Sequence, residues 1–138
     1  MAAYDRRALL AAVLARLGEH AQLAVLQREI YADSIEEWLT TKLKSPKGGL
    51  LVSYAGSRRS LGGEGTAPVA FALDIVVVAR ATGESAEAII EAVEAQLDGH
   101  RLALSSGTAF DLAVESDAFT AEGDRLFVYT VRCRADVL

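Results

Sequence analysis

Cysteine is nearly absent from this chain of 138 residues, and its apolar runs are short. The single cysteine, Cys133, cannot form an internal disulfide, which excludes a fold held together by disulfides within the chain. No apolar run, including residues 75–79, is long enough to cross a bilayer as a helix. Residues 1–20 superficially resemble a signal peptide, but Arg16 interrupts their apolar stretch. We interpret them as a surface helix and expect a cytoplasmic protein that does not contact a membrane.

Motifs that carry catalysis are also missing. The sequence contains no HExxH, no GxSxG and no pair of cysteines, which excludes the common zinc and hydrolase motifs. Residues 61–66 are rich in glycine, but they lack the GK[ST] ending of a phosphate-binding loop, and Glu64 would repel phosphate. His20 and His100 each follow a helix end, where histidine commonly interacts with the last carbonyls. We therefore expect no catalytic residue, no cofactor, no metal and no enzymatic activity.

The composition is that of an ordinary folded protein. Hydrophobic residues make up 51% of the chain and charged residues 24%, so a core can form without extreme charge. We expect one domain that covers residues 1–138. The net charge of −5 disfavours a dedicated nucleic-acid binder, because such binding depends on neutralising phosphates. It does not exclude brief contact with DNA.

Apolar periodicity predicts an α+β (mixed α/β) fold, a mostly antiparallel or mixed sheet packed with about three helices. Residues 55–68 hold four glycines and no apolar rhythm, so we expect a long, mobile loop there. The helices are expected at 5–17, at 34–45, and from Thr82 or Ser85 to Gly99. The strands are expected at 22–26, 50–54, 69–80 and 101–104, and in two half-buried segments around 110–115 and 127–134.

Three single residues have mainly structural interpretations. Asp74 interrupts an apolar strand, so we expect it to pair with a neighbouring strand, either with Arg132 or with Arg134. Cys133 has apolar neighbours at period two and is expected to pack as a small hydrophobic residue. Trp38 lies on the apolar face of the second helix, where it serves the core or a subunit interface.

The third helix carries an acidic stripe beside its apolar one. The five acids recur at spacings of three and four, and no lysine or arginine lies between Arg80 and Arg101 to relieve them. The stripe is either a solvated face or a functional surface, namely a docking edge or a wall that repels another polyanion. Its members are Glu84, Glu87, Glu91, Glu94 and Asp98.

Two adjacent arginines, Arg58 and Arg59, lie in the expected loop. Loops of this length in small domains are often functional. An arginine loop and an acidic helix on one protein can pair head-to-tail between copies, and such contacts close into rings when the rotation permits. Arg58, Arg59 and the acidic stripe are therefore our candidate interface residues.

A short segment and the elements after it resemble a known family. Residues 46–57 read PKGGLLVSYAGS, a long strand follows at 71–80, and the next helix ends in Leu97-Asp98-Gly99. This order is similar to that of the small tail proteins of Mu-like phages and prophages, which are related to tail-completion or tail-terminator proteins. The similarity of element order covers nearly the whole chain.

The resemblance implies a structural subunit of a contractile tail or of a tail-like bacteriocin. It implies a homo-oligomeric ring, hexameric in the assembled particle, that stops growth at the end of the tail tube. The implied partners are further copies of the chain and tail tube, sheath or connector proteins, with DNA passing transiently. The implied location is the host cytoplasm during assembly and the virion or tail-like particle afterwards.

Two other classes of function remain open from the sequence. One is a small enzyme or ligand-binding domain with a site under the 55–68 loop, which would show polar groups converging on an apolar pocket. The other is a generic adaptor that binds one partner through the third helix.

Overall fold

The computed structural model describes residues 5–30, 34–62, 65–80, 85–123 and 125–138. It confirms the mixed α+β class, with one six-stranded sheet and four helical segments. The helices are α1 (Arg6–Gly18), α2 (Ala21–Ala24), α3 (Ile35–Glu37, continued by the π-helix Trp38–Lys42) and α4 (Ala86–Leu97). The strands are β1 (Gln27–Ile30), β2 (Gly48–Gly62), β3 (Gly65–Arg80), β4 (Arg101–Ala103), β5 (Ala109–Gly123) and β6 (Leu126–Val137).

Side-chain caps fix the starts of three helices where the sequence predicted them. Asp5 Oδ1 accepts a hydrogen bond from the backbone N–H of Ala8 at 3.0 Å, and Ser34 Oγ accepts one from Glu37 at 3.4 Å. Ser85 Oγ accepts from Ala88 at 3.2 Å, so Ser85 caps α4. The alternative start at Thr82 lies outside the described residues.

The sheet has the order β1-β2-β3-β6-β5-β4. β1 runs parallel to β2, and every other neighbouring pair is antiparallel. The two long hairpins, β2–β3 and β5–β6, lie side by side through the β3–β6 pair, which runs from Ala70↔Asp136 to Arg80↔Leu126. The sheet is therefore mixed and mostly antiparallel, as predicted.

The helices α1, α2 and α4 cover one face of the sheet. Alternate residues of β3 point into this core, where each is almost fully buried. A smaller cluster lies on the other face, where the Trp38 side chain is 5% exposed, which confirms it as a core residue within the chain. The main core includes Val13, Leu17, Phe71, Leu73, Ile75, Val77, Val93, Leu97 and Cys133, and the smaller one includes Trp38, Leu43, Leu51, Val78 and Val128.

The predicted strand at 22–26 is wrong. The chain forms the short helix α2 there, and the strand begins only at Gln27. His20 explains the difference, because its Nδ1 accepts a hydrogen bond from the backbone N–H of Gln22 at 3.2 Å and so caps α2. A short apolar run fits a helix turn as well as a strand, so periodicity could not decide between them.

The predicted loop at 55–68 is also wrong. The described part of this segment is paired β-structure, with Ser57 opposite Phe71 and Leu61 opposite Thr66. Gly56 has a φ of +146° beside a bulge, which only glycine adopts without strain. Residues 57–61 are exposed, so their side chains show no apolar alternation even though the backbone pairs. The expected mobile loop is therefore the outer half of a long hairpin.

Candidate assembly surfaces

Two exposed sheet margins lie at opposite ends of the long hairpins. The pairing of β3 with β6 begins at Ala70, so the part of the β2–β3 hairpin before it extends past β6. We call residues 56–62 of β2 the arginine edge and residues 116–123 of β5 the acidic edge. Each residue of the acidic edge is exposed, and the edge pairs on its inner side with β6.

The arginine edge contains both candidate arginines. Arg59 is held within its own hairpin, because its Nε donates to Thr66 Oγ1 at 2.9 Å and its Nη2 donates to Thr66 O at 3.1 Å. Arg58 is exposed and makes no ion pair with another described residue. Nearby Leu61 leaves 87% of its surface exposed. The edge thus presents positive charge and an apolar side chain to solvent.

The acidic stripe of α4 is divided by the fold. Glu87 and Glu91 are exposed, whereas Glu94 is half-buried. Asp98 Oδ1 accepts a hydrogen bond from the backbone N–H of Val114 at 2.9 Å, so it has a structural role at the margin of β5. Glu84 lies outside the described residues. Only the middle of the stripe, at Glu87 and Glu91, is a free acidic surface among those described.

A further acid, Asp117 on β5, contacts this stripe and was missed in the sequence. Its side chain hydrogen-bonds Glu94, and this bond raises the pKa of Glu94, with further increases from desolvation and from the charges of Asp117, Asp98 and Glu91. A bulge between Val114 and Ser116 shifts the alternation of β5 by one residue and turns Asp117 towards α4. Strict alternation along the sequence could not reveal this contact.

The arginines and the acidic stripe do not meet within one chain. No described ion pair joins Arg58 or Arg59 to an acid of α4. Arg58 instead lies at a shallow groove of about 410 Å³ on the sheet face away from α4. The other groups of this groove include Glu115 and Arg134, which pair with each other at 3.5 Å.

A second groove, of about 680 Å³, lies between the π-helix and the outer part of the β5–β6 hairpin. Its lining is mostly apolar and includes Ile35, Leu39 and Val128. Arg80 borders it but is held by the chain itself, since its Nε donates to Ser45 O at 2.6 Å. Among the described residues, no group of His, Cys, Asp and Glu is arranged to hold a metal ion.

Of three residues with expected structural roles, Cys133 and His100 have the environments that were predicted, and His20 does not. Cys133 is fully buried, and burial raises the pKa of its thiol to about 12, so it packs as a small hydrophobic residue. His100 Nε2 lies 3.1 Å from Ala95 O at the end of α4. His20, by contrast, uses its ring to cap the following helix α2. Within the described part of the chain, no helix has the length and apolar character to span a membrane.

Solved structures with a similar fold include two that match nearly the whole chain. No protein-family model and no curated protein matches the sequence. One similar structure is a chain in the virion of a native gene transfer agent particle, which is 22% identical with a TM-score of 0.65, and the match covers 94% of this chain and 93% of that chain. The other carries no functional description; it is 13% identical with a TM-score of 0.58, covering 96% and 92%. At these identities the likeness concerns the fold.

Proposed function

We propose that this protein is a structural, non-catalytic subunit of a phage tail or a tail-like particle. The observation that carries the proposal is the fold shared with a chain of a gene transfer agent virion, which extends over 94% of this chain and 93% of that one. Such coverage means that the likeness extends over nearly the whole length of both chains. The element order that resembles small tail proteins of Mu-like phages supports the same role.

Within this role, we propose a tail terminator or completion protein that forms a ring, hexameric in the particle, at the end of the tail tube. The shape of the chain supports a role in contacts with neighbours. Two hairpin margins lie at the open edges of the sheet, and each presents an exposed apolar side chain, Leu61 at 87% and Phe119 at 55%. The partners would be further copies of the chain and the tail tube, sheath or connector. Assembly would take place in the host cytoplasm.

The free part of the acidic stripe suits a DNA passage through such a ring. Glu87 and Glu91 are exposed on α4, and no lysine or arginine lies between Arg80 and Arg101. A wall of like charge keeps a moving polyanion from adhering. We therefore propose that α4 faces the lumen, and that the charge reversals Glu87→Lys and Glu91→Lys slow DNA movement through the ring.

Deletion of the gene tests the proposed function. Electron microscopy of particles from deletion cells should show tubes of irregular, excess length that carry no heads, because nothing ends tube growth. Complementation with the wild-type chain should restore uniform tails. The double variant Glu87→Lys/Glu91→Lys should restore tail length but not DNA delivery. Tails of normal length and with attached heads in the deletion strain would refute the proposed function.

A further inference from the structure

The sheet has two long open edges, and they lie at diagonally opposite corners. β1 covers the outer side of β2 only along residues 49–52, and within the described residues no strand covers the arginine edge. On the other side, β4 covers β5 only at residues 109–111, and nothing described covers the acidic edge. Open edges present unpaired backbone N–H and C=O groups, which readily pair with another strand.

The directions of the two edges allow one copy to continue the sheet of the next. β2 and β3, β3 and β6, and β6 and β5 are each antiparallel, so β2 and β5 run in opposite directions. When two copies lie side by side with their helices on the same face, the arginine edge of one copy therefore runs antiparallel to the acidic edge of the next. Neither edge can reach the other within one chain, because β3 and β6 lie between them.

The two edges are complementary in charge. Arg59 on the arginine edge points to the helix-covered face of the sheet, as do Asp117 and Glu122 on the acidic edge, while Arg58 adds positive charge on the other face. Each edge also exposes one large apolar side chain, Leu61 and Phe119. Pairing of an edge with its own copy would bring like charges together, whereas pairing of unlike edges brings opposite charges together.

We propose that the arginine edge of one copy pairs with the acidic edge of a second copy, as antiparallel strands of one continuous sheet. This inference rests on the proposed function only for the closure of the ring; the pairing itself is a property of the isolated protein. Because the contact joins two different surfaces, the first and the last copy of a row each keep one open edge. Further copies can therefore add until a ring closes. A bulge at Thr120 interrupts the acidic edge, so the regular ladder covers Ser116 to Phe119.

Cysteine crosslinking between two differently marked chains tests the pairing. One chain carries Arg58→Cys or Ser60→Cys, and the other carries Ser116→Cys or Ala118→Cys; all four side chains lie on the sheet face away from α1 and α4. The mixed disulfide should form about tenfold faster than with a control cysteine at Arg7→Cys, because association raises the effective concentration. Because the strands are antiparallel, a cysteine with a higher residue number on β2 should crosslink fastest to a cysteine with a lower residue number on β5. Native Cys133 is buried and is left in place.

Charge reversal supplies an independent test by sedimentation across a concentration series. Arg58→Glu/Arg59→Glu should weaken self-association by at least about tenfold, as like charges then meet across the edges. Adding Asp117→Lys/Glu122→Lys to the same chain should restore it. Arg7→Glu/Lys44→Glu makes the same charge change at residues that belong to neither edge and should have no effect.

Three outcomes would overturn the edge pairing. The first is crosslinking no faster than that of the control cysteine, and the second is a preferred partner cysteine whose residue number rises as that of the first cysteine rises. The third is self-association that the arginine reversal leaves unchanged. Restoration by Glu87→Lys/Glu91→Lys in place of the β5 reversals would show that α4 is the partner of the arginines instead. Irregular tails in the gene deletion together with failed crosslinking would retain the tail function and reject this contact. Successful crosslinking together with normal tails in the gene deletion would retain the edge pairing and reject the tail function.

Discussion

Asp74 on β3 and Arg132 on β6 lie directly opposite each other and form a two-point ion pair. Arg132 Nε lies 2.5 Å from Asp74 Oδ1, and Arg132 Nη2 lies 3.1 Å from Asp74 Oδ2. The hydrogen bond to Asp74 raises the pKa of Arg132. Arg134, the other partner considered from the sequence, pairs instead with Asp136 and Glu115. The pair thus joins the two long hairpins at the middle of the sheet.

Asp74→Asn should lower the free energy of unfolding by about 1 kcal/mol, a modest value because both side chains are partly exposed and screened by water. Urea unfolding at pH 7 measures it. A double-mutant cycle with Arg132→Gln isolates the pair, and a coupling energy of zero would show that the ion pair contributes nothing.

The contact between Glu94 and Asp117 predicts a specific pH dependence. The pKa of Glu94 is raised in the folded state. At a pH where Glu94 is ionised in both the folded and the unfolded protein, its charge therefore destabilises the fold. As pH falls from 7 through the folded-state pKa of Glu94, this penalty is lost, and the contribution of Glu94 to stability rises. Glu94→Gln should therefore be more stable than the wild type at pH 7, and the difference should shrink as the solution is acidified.

Chemical denaturation between pH 7 and pH 4.5, the ordinary pKa of this carboxyl, measures the difference. Glu87→Gln on the exposed part of α4 is the matched control and should show a smaller effect. A Glu94→Gln variant that is less stable than wild type at pH 7 would mean that the Glu94 carboxylate is not under strain.

Two acids of the same stripe should respond differently to truncation. Asp98→Ala removes the acceptor of the Val114 N–H bond and should cost about 1 kcal/mol, whereas Glu87→Ala should stay within about 0.5 kcal/mol. Thermal unfolding of the two variants side by side measures both. Equal effects would mean that Asp98 does not hold the margin of β5.

Cys133→Ser should cost on the order of 1 kcal/mol, because a hydroxyl replaces a buried thiol of similar size. Tail assembly should be unaffected, and the native thiol should resist alkylation at neutral pH until the protein unfolds, since burial raises its pKa to about 12. Rapid alkylation of the folded protein would contradict the buried position. Loss of assembly in a variant that remains folded and stable would indicate thiol chemistry.

The sequence predicted most clearly those helices and strands that have one buried and one exposed face. The caps Asp5, Ser34 and Ser85 and the apolar face of β3 were readable because burial imposes a period on side chains. The outer halves of the two hairpins were not, because both faces are exposed there and backbone pairing leaves no mark on side-chain polarity. The contact of Asp117 with Glu94 depends on a bulge, which shifts residues 116–119 of β5 to the opposite face until the second bulge at Thr120.

The most direct test of the proposed function is cryo-electron microscopy of tails purified from cells that produce the particle. We expect a closed ring of this chain, six copies in the hexameric case, at one end of the tail tube, with its α4 helices facing the lumen. The tube should stop at that ring in every particle. Tails that end normally and contain no density for this chain would contradict the account.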